Sequence, residues 1–373
     1  KISYSQLFFE KNADQFNAGF NVSIEIKDST GNVVKRKSDD RKISVKNFEE
    51  TNSESTFLQG VINFNLPEGK YNILSIISDQ ISKRERRIPP FSLDINKSKP
   101  ILNPIVFDPG KIICDGLNAF VLSNNSASIP FNKPTNDLVI PVSDQEISSL
   151  SIKVKRGDKM LIDEEKITES FLAHPEIKLC GDKAVITQSA DTSKIKLFLI
   201  RDFSSKLTEG PIQLEVYPDD AADQKQIFNL SVIWIGKPIS LSDAEEAIKF
   251  IELIESKDVV SEIFSGSGDD IENLYNYWNK LDPTPETKFN ELMSEFYTRV
   301  DYCELNFRSL AGNGGAKSDR GKTYIKYGPP DSIDRDTDNN DKVVESWIYK
   351  KSQRKFVFVD KEGTGAFTLA NGQ

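Results

Sequence analysis

Apolar and polar positions alternate with a period of two through most of the first 235 residues, then switch to a period of about 3.6. The clearest early alternation is Phe20-Asn-Val-Ser-Ile-Glu-Ile26, the pattern of a half-buried strand. Asp28-Ser-Thr-Gly-Asn32 supplies turn chemistry, and a short strand is expected at Val33-Val34. Phe57 to Phe64, Leu66-Pro-Glu-Gly-Lys-Tyr71 and Ile73 to Ile77 continue as strand, turn and strand. Residues 1–98 therefore read as a β-sandwich module.

Lys97-Ser-Lys-Pro100, Pro104 and Pro109 mark a linker into a second β-rich region, 99–237. Its expected strands are Ala119–Leu122, Leu138–Pro141, Leu150–Val154, Lys194–Arg201, Ile212–Tyr217 and Ile227–Ile235. The last is almost continuously apolar and predicts a central strand covered on both faces. This region reads as a second sandwich.

Gly236-Lys-Pro238 ends the β pattern and opens a third region, 238–373. A helix over about 241–256 is expected from the capping box Ser242-Asp-Ala-Glu245 and the stripe Ala247, Ile248, Ile251, Ile254. A second is expected over 270–281, with Ile271, Leu274, Tyr275 and Trp278 on one face. Thr284 as N-cap and Pro285 at the first position predict a third over 285–310. Its apolar face runs from Phe289 through Leu292, Met293, Phe296, Val300, Cys303 and Phe307 to Leu310. After Gly312-Asn-Gly-Gly315 a small antiparallel meander is expected over about 322–371. Its strands are Thr323–Tyr327, Val343–Tyr349, Phe356–Val359 and Ala366–Leu369, with turns at Gly328-Pro-Pro-Asp331 and Lys361–Gly365. The expected fold class is mostly β: tandem antiparallel immunoglobulin-like sandwiches, then an α+β C-terminal region.

Composition narrows the chemistry. The 373 residues hold 48 Lys+Arg against 57 Asp+Glu, a net charge of −9, which argues against a nucleic-acid partner. There are one His, three Cys and two Met. The lone imidazole, His174, has no G-x-S-x-G nucleophile to serve, and a loop or strand-end role is expected. Gly312-Asn-Gly-Gly-Ala-Lys-Ser318 lacks the Gly before Lys that a phosphate loop needs, and it follows a helix. Cys114, Cys180 and Cys303 show no metal-binding spacing. Cys114 and Cys180 share one expected domain, so they either pair in an oxidising compartment or stay small buried thiols. The N-x-S triplets at Asn21, Asn96, Asn124 and Asn229 carry no weight.

One acidic stretch stands out. Residues 331–345 hold six acids against two bases. Asp334, Asp336, Asp338 and Glu345 fall at positions 1, 3, 5 and 12 of a calcium-loop pattern. Asn339 occupies the place of its turn Gly, Asp341 replaces its apolar residue, and strands flank it. The two readings are a solvated hairpin loop and a calcium site; no other cofactor is expected.

Two blocks carry a family resemblance: Trp278-Asn-Lys-Leu-Asp-Pro-Thr-Pro-Glu-Thr-Lys-Phe-Asn-Glu291 and Asp319-Arg-Gly-Lys-Thr-Tyr-Ile-Lys-Tyr-Gly-Pro-Pro-Asp331. With them, about residues 240–373 resemble the GWxTD domain of bacteria, notably Bacteroidota. The motif behind the name corresponds to Gly315-Ala-Lys-Ser-Asp319, with Ala316 at the Trp position and Ser318 at the Thr position. Asp282, Pro283, Pro285, Asp319, Arg320, Gly321, Tyr324, Gly328, Pro329, Pro330 and Asp331 are the matching motif residues. Their types suit scaffolding: Arg320 offers a five-donor fork, Gly321 and Gly328 unusual backbone, and Asp319 a tie at the turn entering a strand.

The resemblance implies export to the periplasm or cell surface, with a signal or lipid anchor upstream of Lys1 as the one expected link to a membrane. The expected function is a non-catalytic cell-envelope interaction protein. It would be an accessory subunit or scaffold of an outer-membrane-associated assembly, with other envelope or outer-membrane proteins as partners. The alternatives are a glycan- or calcium-binding surface module and, behind it, a carboxylate-dependent hydrolase.

Overall fold

The computed structural model describes residues 1–373 apart from 54–55, 97–98, 124–127, 133–134, 189–194, 310–313 and 373. Lys97 and Ser98 of the expected linker, Asn124, Lys194, Leu310, and Gly312-Asn313 lie outside the described residues. The chain divides into two compact units, Lys1–Gly236 and Lys237–Gln373.

The N-terminal part of the first unit forms β1 (Ile2–Ser3), β2 (Glu10–Asn12), β3 (Gln15–Asp28), β4 (Val33–Val45), the single helical turn α1 (Phe48–Thr51), β5 (Phe57–Leu58), β6 (Gly69–Asp79) and β7 (Glu85–Ile95). β3 is the spine of a five-stranded antiparallel sheet, with β4 on one side, β2 and β6 on the other, and β7 beyond β6. The strand expected at Val33-Val34 runs on to Val45. An edge strand needs no apolar alternation, and the charges of Lys35-Arg-Lys-Ser-Asp-Asp-Arg-Lys42 guard it against foreign pairing.

The strand expected over Phe57–Phe64 is mostly something else. Only Phe57 and Leu58 pair, with β1. Beyond them Gln59 accepts the Ala184 amide, Val61 packs into an apolar cluster of the next sheet, and Asn63 donates to Glu176 and the Ile177 carbonyl. This segment is cover for that sheet, which is why its side chains alternate without a ladder.

The rest of the unit forms β8 (Ile105–Phe107), β9 (Ile112–Cys114), β10 (Leu117–Val121), β11 (Ser128–Pro130), β12 (Asp137–Val142), β13 (Leu150–Arg156), β14 (Lys159–Ile167), β15 (Ser170–Cys180), β16 (Lys183–Gln188), β17 (Ile195–Ile200), β18 (Gly210–Pro218) and β19 (Gln226–Ile233). They build a seven-stranded sheet, β8-β12-β17-β15-β16-β10-β9, and a five-stranded one, β11-β19-β18-β13-β14. All pairings are antiparallel except β11 with β19. The doubly covered strand is β12, where every residue is buried. The expectation for Ile227–Ile235 is corrected: Leu230 and Val232 point inward, whereas Ile227, Ile233 and Ile235 are exposed. The outer face mixes the exposed isoleucines with Asn229 and Ser231, so the apolar run does not mark a second covered face. His174 lies inside β15, at an irregularity in its pairing with β16. Cys114 and Cys180 are joined in a disulfide, Cα–Cα 5.9 Å, tying the ends of β9 and β15.

The second unit begins with a 3-10 turn (Ile239–Leu241) and α2 (Ala244–Phe250), followed by a 3-10 turn (Ile251–Leu253), α3 (Lys257–Phe264), α4 (Asp270–Asn279), α5 (Glu291–Asn306) and α6 (Asp319–Tyr327). The meander β20 (Ser332–Thr337), β21 (Val343–Tyr349), β22 (Arg354–Asp360) and β23 (Phe367–Gly372) closes it in simple order. The single helix expected over 241–256 is broken, and its cap is Asp243, whose carboxylate accepts the Glu246 amide, not Ser242. The helix expected from Pro285 starts only at Glu291. Asp282 instead accepts the Thr284 amide in a local turn, and Asn290 provides the cap. Thr323–Tyr327, expected as a strand, is the second half of α6. Its helical signals were present: Ser318 before Asp319, and Gly328-Pro329 after the last turn.

Candidate functional site

The motif block is built on a close approach of three backbones. A Cβ on Gly315 would overlap the Cys303 carbonyl of α5, and one on Gly321 would overlap the Gly315 carbonyl. Two missing side chains thus let the start of α6 press on the end of α5. Ser318 caps α6, accepting the Gly321 amide at 3.0 Å while its hydroxyl donates to Gly315 at 2.7 Å. Ala316, at the position of the name motif's Trp, is fully buried and its amide donates to Glu304 at 2.9 Å. Asp319 is expected from sequence to tie a turn entering a strand, and that expectation is corrected, because the element it enters is a helix. It sits in the first helical turn and accepts the Leu369 amide at 2.8 Å, pinning β23 to α6.

Arg320 runs into the interior. Its guanidinium lies between two rings, 4.9 Å from the Phe307 centroid and 4.0 Å from Phe367. One nitrogen donates to the Gly365 carbonyl at 3.3 Å, another lies 3.6 Å from Glu345, and the buried Nε has no hydrogen-bond partner among the described residues. Burial pushes the Arg320 pKa down, and the Glu345 charge opposes that push. Glu345, on β21, has only 2% of its side chain exposed. It accepts from Trp347 Nε1 at 2.5 Å and from Arg335 at 2.9 Å. Asp360 completes this polar spine, accepting the Thr364 and Gly365 amides that shape the last hairpin. Around the spine, Tyr302, Phe307, Tyr324 and Trp347 form one aromatic cluster, with Tyr302 and Tyr324 stacked at 4.4 Å.

The remaining motif residues secure other joints. Gly328, at φ +77°, ends α6; Arg299 donates to the Ile325 carbonyl beside it, and the Tyr349 hydroxyl donates to the Gly328 carbonyl. Pro329 and Pro330 stop the helix from continuing. Asp331 accepts the Lys350 amide at 2.6 Å, fastening the turn to β21. Asp282, Pro283 and Pro285 shape the α4–α5 loop, remote in sequence from this spine. In that loop Asn290, absent from the sequence-based candidates, caps α5 through the Met293 amide and donates to the Trp278 carbonyl at 2.8 Å. Asn290→Ala removes both bonds and is expected to cost about 1–2 kcal/mol in urea unfolding. Glu304, Gly315, Trp347 and Asp360 are also absent from the sequence-based candidates: Glu304 and Gly315 meet backbone 12 positions away, which nothing local marks, and Trp347 and Asp360 read as ordinary positions of a β strand, although their hydrogen-bond partners lie two to five positions away.

The acidic stretch divides between two strands and a turn. Asp334 and Asp336 alternate with Arg335 along β20, so they face away from the Arg335–Glu345 pair. Asp338 accepts the Asn340 and Lys342 amides in the turn. The four proposed ligands do not converge. Among the described residues, no group of three or more His, Cys, Asp or Glu side chains is arranged to hold a metal. Cys303 is buried, which pushes its thiol up to about 12 and keeps it protonated. The opening nearest the motif, about 380 Å³, is lined by Phe307, Lys317, Ser318, Asp319, Phe367 and Thr368 among others. Its one carboxylate, Asp319, is already engaged by the Leu369 amide.

Residues 223–370 match the GWxTD domain family, so the C-terminal part of the chain carries a GWxTD domain. No curated protein matches the chain. Among solved structures, a β-glycosidase from Bacteroides vulgatus aligns at 10% identity over 56% of this chain and 21% of that one, with a TM-score of 0.16. The chain thus spans about a fifth of that enzyme's length, and so loose a superposition carries no argument.

Proposed function

We propose that this GWxTD-domain chain is a non-catalytic, exported interaction protein of the cell envelope. It acts as an accessory subunit or scaffold of an outer-membrane-associated assembly, and other envelope proteins are its partners. The observation that carries the reading is the inward use of the motif: Asp319, Arg320, Gly321, Gly328 and Asp331 each spend their chemistry on backbone groups or neighbouring side chains of the same unit. Such a domain supports surfaces instead of turning over a substrate. The Cys114–Cys180 disulfide supports an oxidising destination, where such bonds persist. Two measurements test this. Full-length tagged protein purified under mild detergent from its native membranes should bring down envelope proteins in stoichiometric amounts, identified by mass spectrometry; purification alone would sink the reading. In intact cells, Cys114 and Cys180 should resist alkylation until a reductant is added, and free thiols at both would remove the export argument.

A further inference from the structure

Strand β7 is an open edge of the N-terminal sheet, pairing only with β6 among the described residues. Lys83-Arg-Glu-Arg-Arg87 at its start packs four bases around one acid. On the opposite edge the arginines are matched within the sheet, Arg36 to Glu25 and Arg41 to Asp39. Arg84, Arg86 and Arg87 have no carboxylate partner among the described residues, and Glu85 accepts from Ser78 instead. Alternation along β7 sets Arg86 on a groove of about 710 Å³ with Phe8, Phe20 and Ile77. It sets Arg87 on a groove of about 580 Å³ on the other face, and Ile88 lines both. Ile88 and Phe91 are 40% and 55% exposed. The edge is thus basic, partly apolar and short of counter-charge.

The counterpart is on the chain itself. From Asp243 to Glu272 there are ten carboxylates against two lysines. Lys249 is taken by Glu245 and Glu246. Asp258 and Glu262 lie one turn apart on α3, with Glu252 just before it, all exposed and without a cation partner among the described residues. Ile254, in the turn before α3, is 43% exposed.

We infer that β7 is a self-association surface that receives the acidic α3 face of a second copy. Carboxylates of α3 meet the unmatched arginines, and the exposed Ile88 and Phe91 of β7 are covered at the same contact. Because the two patches differ, the contact is heterologous and repeats head to tail.

Sedimentation velocity of the full chain tests this. At about 50 mM salt the weight-average size should grow with protein concentration, and at about 500 mM salt the association constant should fall at least tenfold. Arg86→Glu with Arg87→Glu should abolish growth at low salt, as should Asp258→Lys with Glu262→Lys. Mixing the two variants should restore it, since each then meets opposite charge. A monomer at every concentration and salt, association that survives either reversal, or a mixture that stays monomeric would each overturn the inference. Anionic vesicles that bind the wild type but not the Arg variant, with no self-association, would assign β7 to a lipid surface and likewise overturn it. Envelope capture reads out separately: a chain that self-associates yet brings down no envelope protein fails the proposed function and leaves this contact standing.

Discussion

Replacing Gly315 by alanine is expected to remove at least about 3 kcal/mol from the second unit, the upper end of the cost of overfilling a packed interior. The added methyl would overlap the Cys303 carbonyl oxygen and crowd the Glu304 Cα at 3.1 Å, both of them backbone atoms of α5. A flexible side chain could swing aside; a helix backbone cannot. Relief requires moving Gly315 away from α5, and that carries Ser318, Asp319 and the start of α6 with it, because the Gly315 carbonyl accepts the Ser318 hydroxyl and packs under Gly321. The Ala316–Glu304 and Asp319–Leu369 bonds would then stretch together. Urea unfolding followed by tryptophan fluorescence measures the loss, since Trp278 and Trp347 are both buried in this unit. Gly363→Ala is the contrast: with φ +68° and nothing within 4 Å, it meets only the modest strain of a left-handed alanine. Equal losses for the two variants would mean the backbone stack contributes little.

Glu345→Ala is expected to cost about 3–5 kcal/mol, the usual penalty when one partner of a buried ion pair is removed. The substitution leaves Arg320 charged in an interior that already lowers its pKa. It also strips Trp347 Nε1 of its acceptor. Two controls separate these effects. Glu345→Gln keeps an acceptor for Trp347 while losing the charge, so it should fall between Ala and wild type. Arg335→Ala removes a cation whose side chain is 70% exposed, and it should cost less than about 1 kcal/mol. If Arg335→Ala proved as damaging as Glu345→Ala, the exposed pair would be the important one, and Arg320 would not be the centre of the spine.

How much of this was legible beforehand depended on where each residue's partner lay. The β21 strand, Val343–Tyr349, and the helix α4 lie within two residues of where the sequence pattern places them, because alternation and a four-residue apolar stripe are local signals. The β4 extension was not, since its residues face solvent at an edge and keep no apolar period. Thr323–Tyr327 reads as β by composition, and α6 wins through packing: Arg320, Gly321, Thr323 and Ile325 are buried along it, and its cap lies one residue outside the block. The acidic stretch reads as one loop in sequence, whereas Arg335 and Glu345 face each other across the β20–β21 ladder. The motif residues themselves were found through their family resemblance, but their uses were not. Asp319 bonds residue 369 and Arg320 bonds residue 365, and no spacing rule connects positions so far apart.

The scaffold reading of the motif is tested most directly by Arg320→Ala, with the thermal melt and the envelope pull-down run on the same preparation. The expected result is a melting temperature lowered by roughly 10 °C, with any loss of partners following the loss of folded protein. A melt that stays where the wild type lies, together with lost capture of partners, would contradict it: Arg320 would then be a binding residue, and the motif a site.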